Sequence, residues 1–278
     1  MIKLEHILNE ITNAAGVNSG AIAGANSPKA IILAGAPGAG KGFILKGLNI
    51  SNLQVLNIDD TYIDNLKQAN VSLDLKNATP EERSKQALAM ADANKSFKKS
   101  VEKTIEAKKS FVLDGTAGSY KKTVELKDEL IKAGYEVFML YVYTDLERSL
   151  SQNQDRFKKS DGEDRSLAPA IVLRTWMGVS KNYEAYKNLF GNNFVLVANT
   201  LEDKMDDLEA IIDKYLTPFK PTGTKEKTPA QQARSDKQYA EMKTDIQQLL
   251  GSEFVESIML NSVSKEEAQA KIKSFING

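Results

Sequence analysis

The sequence predicts an α/β fold of three layers, a five-stranded parallel sheet between helices, followed by a helical C-terminal extension. Two observations predict it. Five short, almost wholly apolar runs alternate with stretches of helical periodicity, and strands apolar on both faces belong to parallel sheets covered on each side. A glycine-rich loop, Gly35-Ala36-Pro37-Gly38-Ala39-Gly40-Lys41-Gly42, also joins the first run to the first helix. Loops of that kind lie at the carboxyl edge of such a sheet, where ligands bind.

The elements follow in order. Leu4, Ile7, Leu8 and Ile11 are spaced helically, and residues 16–28 are small and glycine-rich, so residues 1–28 are read as a helix and a flexible connection. The first strand is Ala30 to Ala34, with a helix from about Lys41. The second strand, Gln54 to Ile58, ends in Asp59-Asp60. Thr79-Pro80-Glu81-Glu82 opens a long helix with a capping box and a proline in its first turn. Met90, Phe97, Val101 and Ile105 share one face of it, and the mixed lysines and glutamates opposite read as a solvated face. A third strand, Phe111 to Leu113, ends at Asp114-Gly115. A helix from about Ser119 to Ala133 and a strand from Glu136 to Tyr143 come next. Two helices, from about Asp145 and from about Ala168 to Leu189, flank the polar loop "KKSDGEDRS", and the last strand is Asn193 to Ala198.

Residues 29–216 are therefore expected to form the main domain. Three of the seven prolines fall in "TPFKPTGTKEKTP", which marks residues 217–234 as a linker. In the tail, 235–278, Tyr239, Met242, Ile246 and Leu249 are helically spaced and Ser264-x-x-Glu267 starts another helix. The tail is too short for its own core. It is expected to dock on the main domain, on a protein partner or on a second copy.

Composition narrows the function. With 37 basic and 37 acidic side chains, no overall field draws the chain to nucleic acid or to an acidic membrane. There is no cysteine and a single histidine, His6, which excludes thiolate chemistry and argues against a Ser-His-Asp triad or a histidine-built metal site. No apolar run reaches the length of a membrane span, and "MIKLEHILNE" does not read as a secretion signal. These features suit a cytoplasmic protein.

The strongest chemical signal is the loop itself. Glycines at 35, 38 and 40 let backbone N–H groups converge on an anion, the helix dipole adds to the attraction, and Lys41 supplies a point charge. The strand before it, the helix after it and the placed lysine make it a phosphate cradle, built from Gly35 through Gly42. The Ser or Thr that usually follows the lysine to hold magnesium is absent: Gly42 and Phe43 stand there. Arginine is scarce, and Arg148, Arg156, Arg165 and Arg174 crowd into one segment.

"GAPGAGKG" resembles the phosphate loop of adenylate kinases and related nucleoside monophosphate kinases, which also carry Gly after the lysine but place threonine at the position of Phe43. "FVLDGT" is similar to the hydrophobic-acid-Gly-Thr signature of the zeta-toxin group of P-loop kinases. "NIDDTY" resembles that group's strand-end motif that supplies the base, and "QDRF" and "EDRS" resemble its two lid arginines. The resemblance covers residues from about 30 to 200. It implies a P-loop kinase fold using ATP and Mg2+ to phosphorylate a hydroxyl on a small-molecule acceptor, with Lys41, Asp60, Arg156 and Arg165 catalytic. Asp59 is the near rival of Asp60, and both could instead cap a turn. Asp114, with Asp59, would hold the metal, although a turn aspartate is the plainer alternative. Asp59 and Thr116 would face the acceptor, and Asn199 the adenine unless it merely starts a helix. Arg156 and Arg165 could also be surface ion pairs with Asp155 and Asp164. Trp176 lies on a stripe that reads as core. Two rivals stay open: a nucleoside monophosphate kinase, disfavoured because no arginine follows Asp114-Gly115, and a nucleotide-binding or assembly protein that has lost turnover.

Overall fold

The computed structural model describes residues 27–47, 53–160, 164–200 and 228–277. The expected N-terminal helix and most of the expected linker lie outside these residues. Five strands, β1 (Lys29–Ala34), β2 (Gln54–Asn57), β3 (Phe111–Asp114), β4 (Glu136–Tyr143) and β5 (Phe194–Ala198), form one sheet in the order β2-β3-β1-β4-β5. Every pairing is parallel. The register matches Leu33 and Asn57 with Asp114, so the carboxyl ends of the three strands on one side of the sheet stop at one level. The chain leaves the central β1 there, at the position where the sheet's connections diverge to either side and ligands bind.

Strand residues alternate between two buried faces. Ala30, Ile32, Met139 and Tyr141 face a layer that includes Val101, Leu130, Val179, Tyr183 and Phe190. These come from α3 (Pro80–Glu106), α4 (Tyr120–Lys132), α6 (Pro169–Lys181) and α7 (Tyr183–Phe190). Ile31, Leu33, Val112, Phe138 and Val195 face the other way, against Ile44, Ala268 and Ile272. Ile44 belongs to α1 (Lys41–Gly47), while Ala268 and Ile272 belong to α10 (Lys265–Asn277).

The tail therefore completes the fold. α8 (Pro229–Leu250) buries Ile246 and Leu249 against Ala36, Leu146, Leu150 and Trp176, and α9 (Ser252–Asn261) places Ile258 on the first face. Val263 N–H bonds to the Leu196 carbonyl at 2.9 Å, extending the contact to β5. The expected stripe of α8 thus docks on this chain's own core.

Several boundaries differ from expectation, most by one residue, and three have a visible cause. The linker was expected to run to residue 234, but α8 starts at Pro229, because Thr228 and Gln231 form a capping box with proline in the first turn. The helix expected from Ala168 to Leu189 is broken at Asn182, whose side-chain amide bonds back to the Gly178 carbonyl at 2.7 Å. β2 ends one residue early, because Asn57 caps α2 (Ile58–Gln68), accepting from Asp59 N–H. A small separate cluster, Tyr62, Leu66, Val71, Leu73, Ala89 and Ala93, packs α2 on α3. Lys95, Lys99 and Glu106 on the outer face of α3 are exposed, as the mixed charge predicted.

Candidate nucleotide and phosphoryl-transfer site

The loop after β1 is held from outside by its carbonyls. Ser149 Oγ, on α5 (Leu146–Lys159), donates to the Pro37 carbonyl at 2.6 Å, and Asn199 Nδ2, just past β5, donates to that of Ala39 at 2.8 Å. Gly35 N–H donates to the Thr116 carbonyl at 3.2 Å. Among the described residues, the amides of Gly38, Gly40, Lys41 and Gly42 donate to no protein acceptor. Carbonyls tied outward and amides left unspent make a concavity fit for an anion. Three glycines are required by geometry, the first being Gly35, where a Cβ would lie 2.7 Å from the Val142 carbonyl oxygen. At Gly38, with φ +77°, a Cβ would lie 2.7 Å from the Ser149 carbonyl oxygen, and at Gly40, with φ +82°, 2.6 Å from Asn199 Nδ2. Gly42 is unlike them, because a Cβ there meets nothing within 4 Å. Its missing hydroxyl is not enforced by crowding.

Lys41 folds back over the loop, its Nζ 3.0 Å from the Gly35 carbonyl and 3.3 Å from that of Ala36. Burial pushes its ammonium below the ordinary lysine range; Asp114 and Asp59 oppose that shift, and Arg156 and Arg165 add to it. All four were named from the sequence, and the fold sets them around Lys41; Asp60, the other acid named, acts on Asp114 rather than on Lys41.

Asp114 ends β3 and accepts from Asn57 Nδ2 at 3.0 Å. Burial raises its carboxyl above the usual range, only partly countered by Lys41, with Asp59 and Asp60 raising it further. A carboxylate short of positive charge is one that a cation would relieve. Among the described residues, no group of three His, Cys, Asp or Glu side chains is placed to hold a metal. Magnesium characteristically takes one or two carboxylates and completes its octahedron with water and phosphate. Asp114 fits that role.

Asp59 and Asp60 lie in the first turn of α2, and the capping role falls to Asn57. Asp59 pairs with Arg165 Nη2 at 2.5 Å, and the Arg165 side chain is only 11% exposed. Arg165 also lies over the Tyr62 ring, 5.6 Å from its centroid. Asp60 is exposed. Burial and then the neighbouring Asp59, Asp64 and Asp164 raise its carboxyl. Arg156 pairs with Asp164 at 3.1 Å and is half-exposed, a surface ion pair of the kind considered from the sequence, while Asp155 pairs with Lys159. Arg148 donates to the Thr200 carbonyl at 2.9 Å, and Trp176 is buried with its indole N–H on the Thr144 carbonyl at 2.8 Å.

Sequence reasoning missed Asn57 and Ser149. Asn57 had a local signal, an Asx residue before a helix. Ser149 had none, since its partner lies 112 residues away.

A glycine-rich anion loop between the central strand and a helix, with an acid on the neighbouring strand, defines a P-loop nucleotide-binding protein. The zeta toxin family profile matches residues 16–211, and the chain belongs to that family. Solved structures resemble it at low identity. A protein of Chloroflexus aurantiacus, provisionally described as a kinase, is 15% identical with a TM-score of 0.46, over 68% of this chain and 99% of that one. A structure from the PezAT chromosomal toxin–antitoxin system of Streptococcus pneumoniae is 14% identical with a TM-score of 0.45, over 88% and 96%. The AvrRxo1-ORF1:-ORF2 complex with ATP is 13% identical with a TM-score of 0.46, over 85% and 80%. No curated protein sequence matches the chain. No described helix is long and apolar enough to cross a membrane.

Proposed function

We propose that the protein is a kinase that transfers the γ-phosphoryl group of ATP to a hydroxyl of a small molecule. The observation that carries this reading is the convergence of Lys41, Arg156, Arg165, Asp59 and Asp114 beside a loop in which the amides of Gly38, Gly40, Lys41 and Gly42 are unspent. Phosphoryl transfer is catalysed by positioning and charge neutralisation, which such a set supplies. The loop and Lys41 hold the outer phosphates, and Arg156 and Arg165 offset charge on the moving group. The acceptor oxygen attacks phosphorus as the bond to the β-phosphate oxygen breaks, and its proton passes to a carboxylate. Asp60, exposed and with its carboxyl raised, and Asp59, held against Arg165, are the two candidates for that task. Magnesium, held through Asp114, would neutralise the phosphate oxygens. Thr116 borders the loop through its backbone, and Asn199 braces the loop through its amide, which weighs against an adenine contact from that same group.

Phe43 favours a second reading, a nucleotide-binding protein without turnover, because it removes the hydroxyl that related loops use. One experiment separates the two. The purified protein and Lys41→Ala are incubated with magnesium, labelled ATP and a small-molecule cell extract, and products are read by mass spectrometry. A labelled product absent from the Lys41→Ala sample supports the kinase. Binding of a fluorescent ATP analogue without product or hydrolysis supports the second reading.

A further inference from the structure

The Arg165 side chain is 11% exposed against 46% for that of Arg156, and the two residues that follow it are anchored by groups that the chemistry does not use. Ser166 is 2% exposed. Its N–H donates to the Leu73 carbonyl at 3.2 Å, and its Oγ donates to Asp74 Oδ1 at 3.0 Å. Asp74 and Ser166 form an isolated parallel β-bridge. Asp74 is itself fixed, accepting from Asn77 Nδ2 at 2.6 Å through its other oxygen. On the far side, the buried Asn153 makes two bonds to Leu167: its Nδ2 donates to the Leu167 carbonyl at 2.8 Å, and its Oδ1 accepts from Leu167 N–H at 3.1 Å. Burying such polar groups is costly unless each is paired, and here the pairings converge on Ser166 and Leu167, directly after Arg165.

We infer that Asp74, Ser166 and Asn153 are positioning residues that hold the Arg165 guanidinium on Asp59 before any nucleotide binds. The inference rests on the proposed kinase reading for its catalytic meaning, though not for its geometry. It divides the two arginines. Arg165 is fixed on the acceptor side, stacked over Tyr62, and orients Asp59. Arg156, half-exposed and joined to Asp164 alone among the described residues, is the arginine free to follow the phosphoryl group.

The test uses Asp74→Ala, which breaks the bridge from outside the reacting groups, and Asp74→Asn, which keeps an oxygen for Ser166 Oγ. In arginine-15N-labelled unliganded protein, the buried Arg165 Nε–H should give a slowly exchanging signal, assigned by its loss in Arg165→Lys. Asp74→Ala should speed its exchange on the order of tenfold while Asp74→Asn preserves it, matching a bond of this size. Turnover should fall on the order of tenfold or more in Asp74→Ala, as misplaced catalytic groups do, with affinity for a fluorescent ATP analogue within about twofold of wild type. An unchanged Arg165 signal in Asp74→Ala overturns the inference, as does wild-type turnover despite a released signal. A responsive signal in a protein that forms no phosphorylated product upholds the positioning and sinks the kinase reading.

Discussion

Phe43 and Lys265 meet across the seam between α1 and α10, the Lys265 ammonium 4.1 Å from the centre of the Phe43 ring. Phe43 is 69% exposed and occupies the position where related loops carry a hydroxyl. Its substitution therefore ties the phosphate-loop helix to the tail. A double-mutant cycle with Phe43→Ala and Lys265→Ala should give a coupling of about 0.5–1 kcal/mol in urea unfolding, the size of an exposed cation–π pair. Additive effects would show that the two side chains meet without interacting.

Ile272 is fully buried on the second face of the sheet. Ile272→Ala should cost about 2–5 kcal/mol, while Leu260→Ala, at a residue 86% exposed, should change stability by less than about 0.5 kcal/mol. Trp176, the one tryptophan, shares a cluster with Ile246 and Leu249 of α8. Its fluorescence should therefore change in a single transition coincident with far-UV circular dichroism, and an earlier tryptophan transition would mark the tail as a separate folding unit.

The loop glycines should respond unequally. Gly38→Ala places a Cβ 2.7 Å from a backbone oxygen at φ +77°, and should both destabilise the protein, by about 1–3 kcal/mol, and abolish nucleotide-analogue binding. Gly42→Ser enters open space, so stability should stay within about 0.5 kcal/mol. If magnesium coordination limits the site, the added hydroxyl should lower the magnesium concentration needed for half-maximal ATP-analogue binding. An unchanged magnesium requirement would count against Asp114 and this position sharing the ion.

Asp114 should trade stability for function. Its carboxyl is raised above the ordinary value in the folded protein, so between the two values the native state holds a proton that the unfolded chain has released. Stability should therefore fall as pH rises through that window and stay lower above it. Asp114→Asn should unfold at higher urea than wild type at pH 7, with the gap closing as the pH is lowered through the raised value. The same substitution should remove the magnesium dependence of nucleotide binding. A variant less stable than wild type at pH 7 would contradict the cost assigned to this carboxylate.

The sheet was legible because each strand is a short apolar run: Ile31 and Val112 had to be buried whichever face they took. The phosphate loop was legible because its chemistry is local, with glycines, lysine and helix start in one stretch. Positions fixed by distant partners were not legible. Nothing near Asn199 announces the Ala39 carbonyl, 160 residues away, that its amide meets. Placing Asp59 and Asp60 likewise depended on where α2 begins, and Asn57 set that by capping one residue earlier than the apolar run suggested. Thr228 and Gln231 form the same capping arrangement as Thr79 and Glu82, but the surrounding prolines disguised the first pair as linker.

The packing of Ala268 and Ile272 against Ile44 has a consequence for synthesis. The phosphate loop leaves the ribosome early, yet the helix behind it lacks the cover of Ala268 and Ile272 until those residues have been translated. Through most of its own translation, the chain carries a nucleotide cradle with an unsupported back wall. Activity that depends on a rigid cradle would then wait for the residues of α10 that close its back wall.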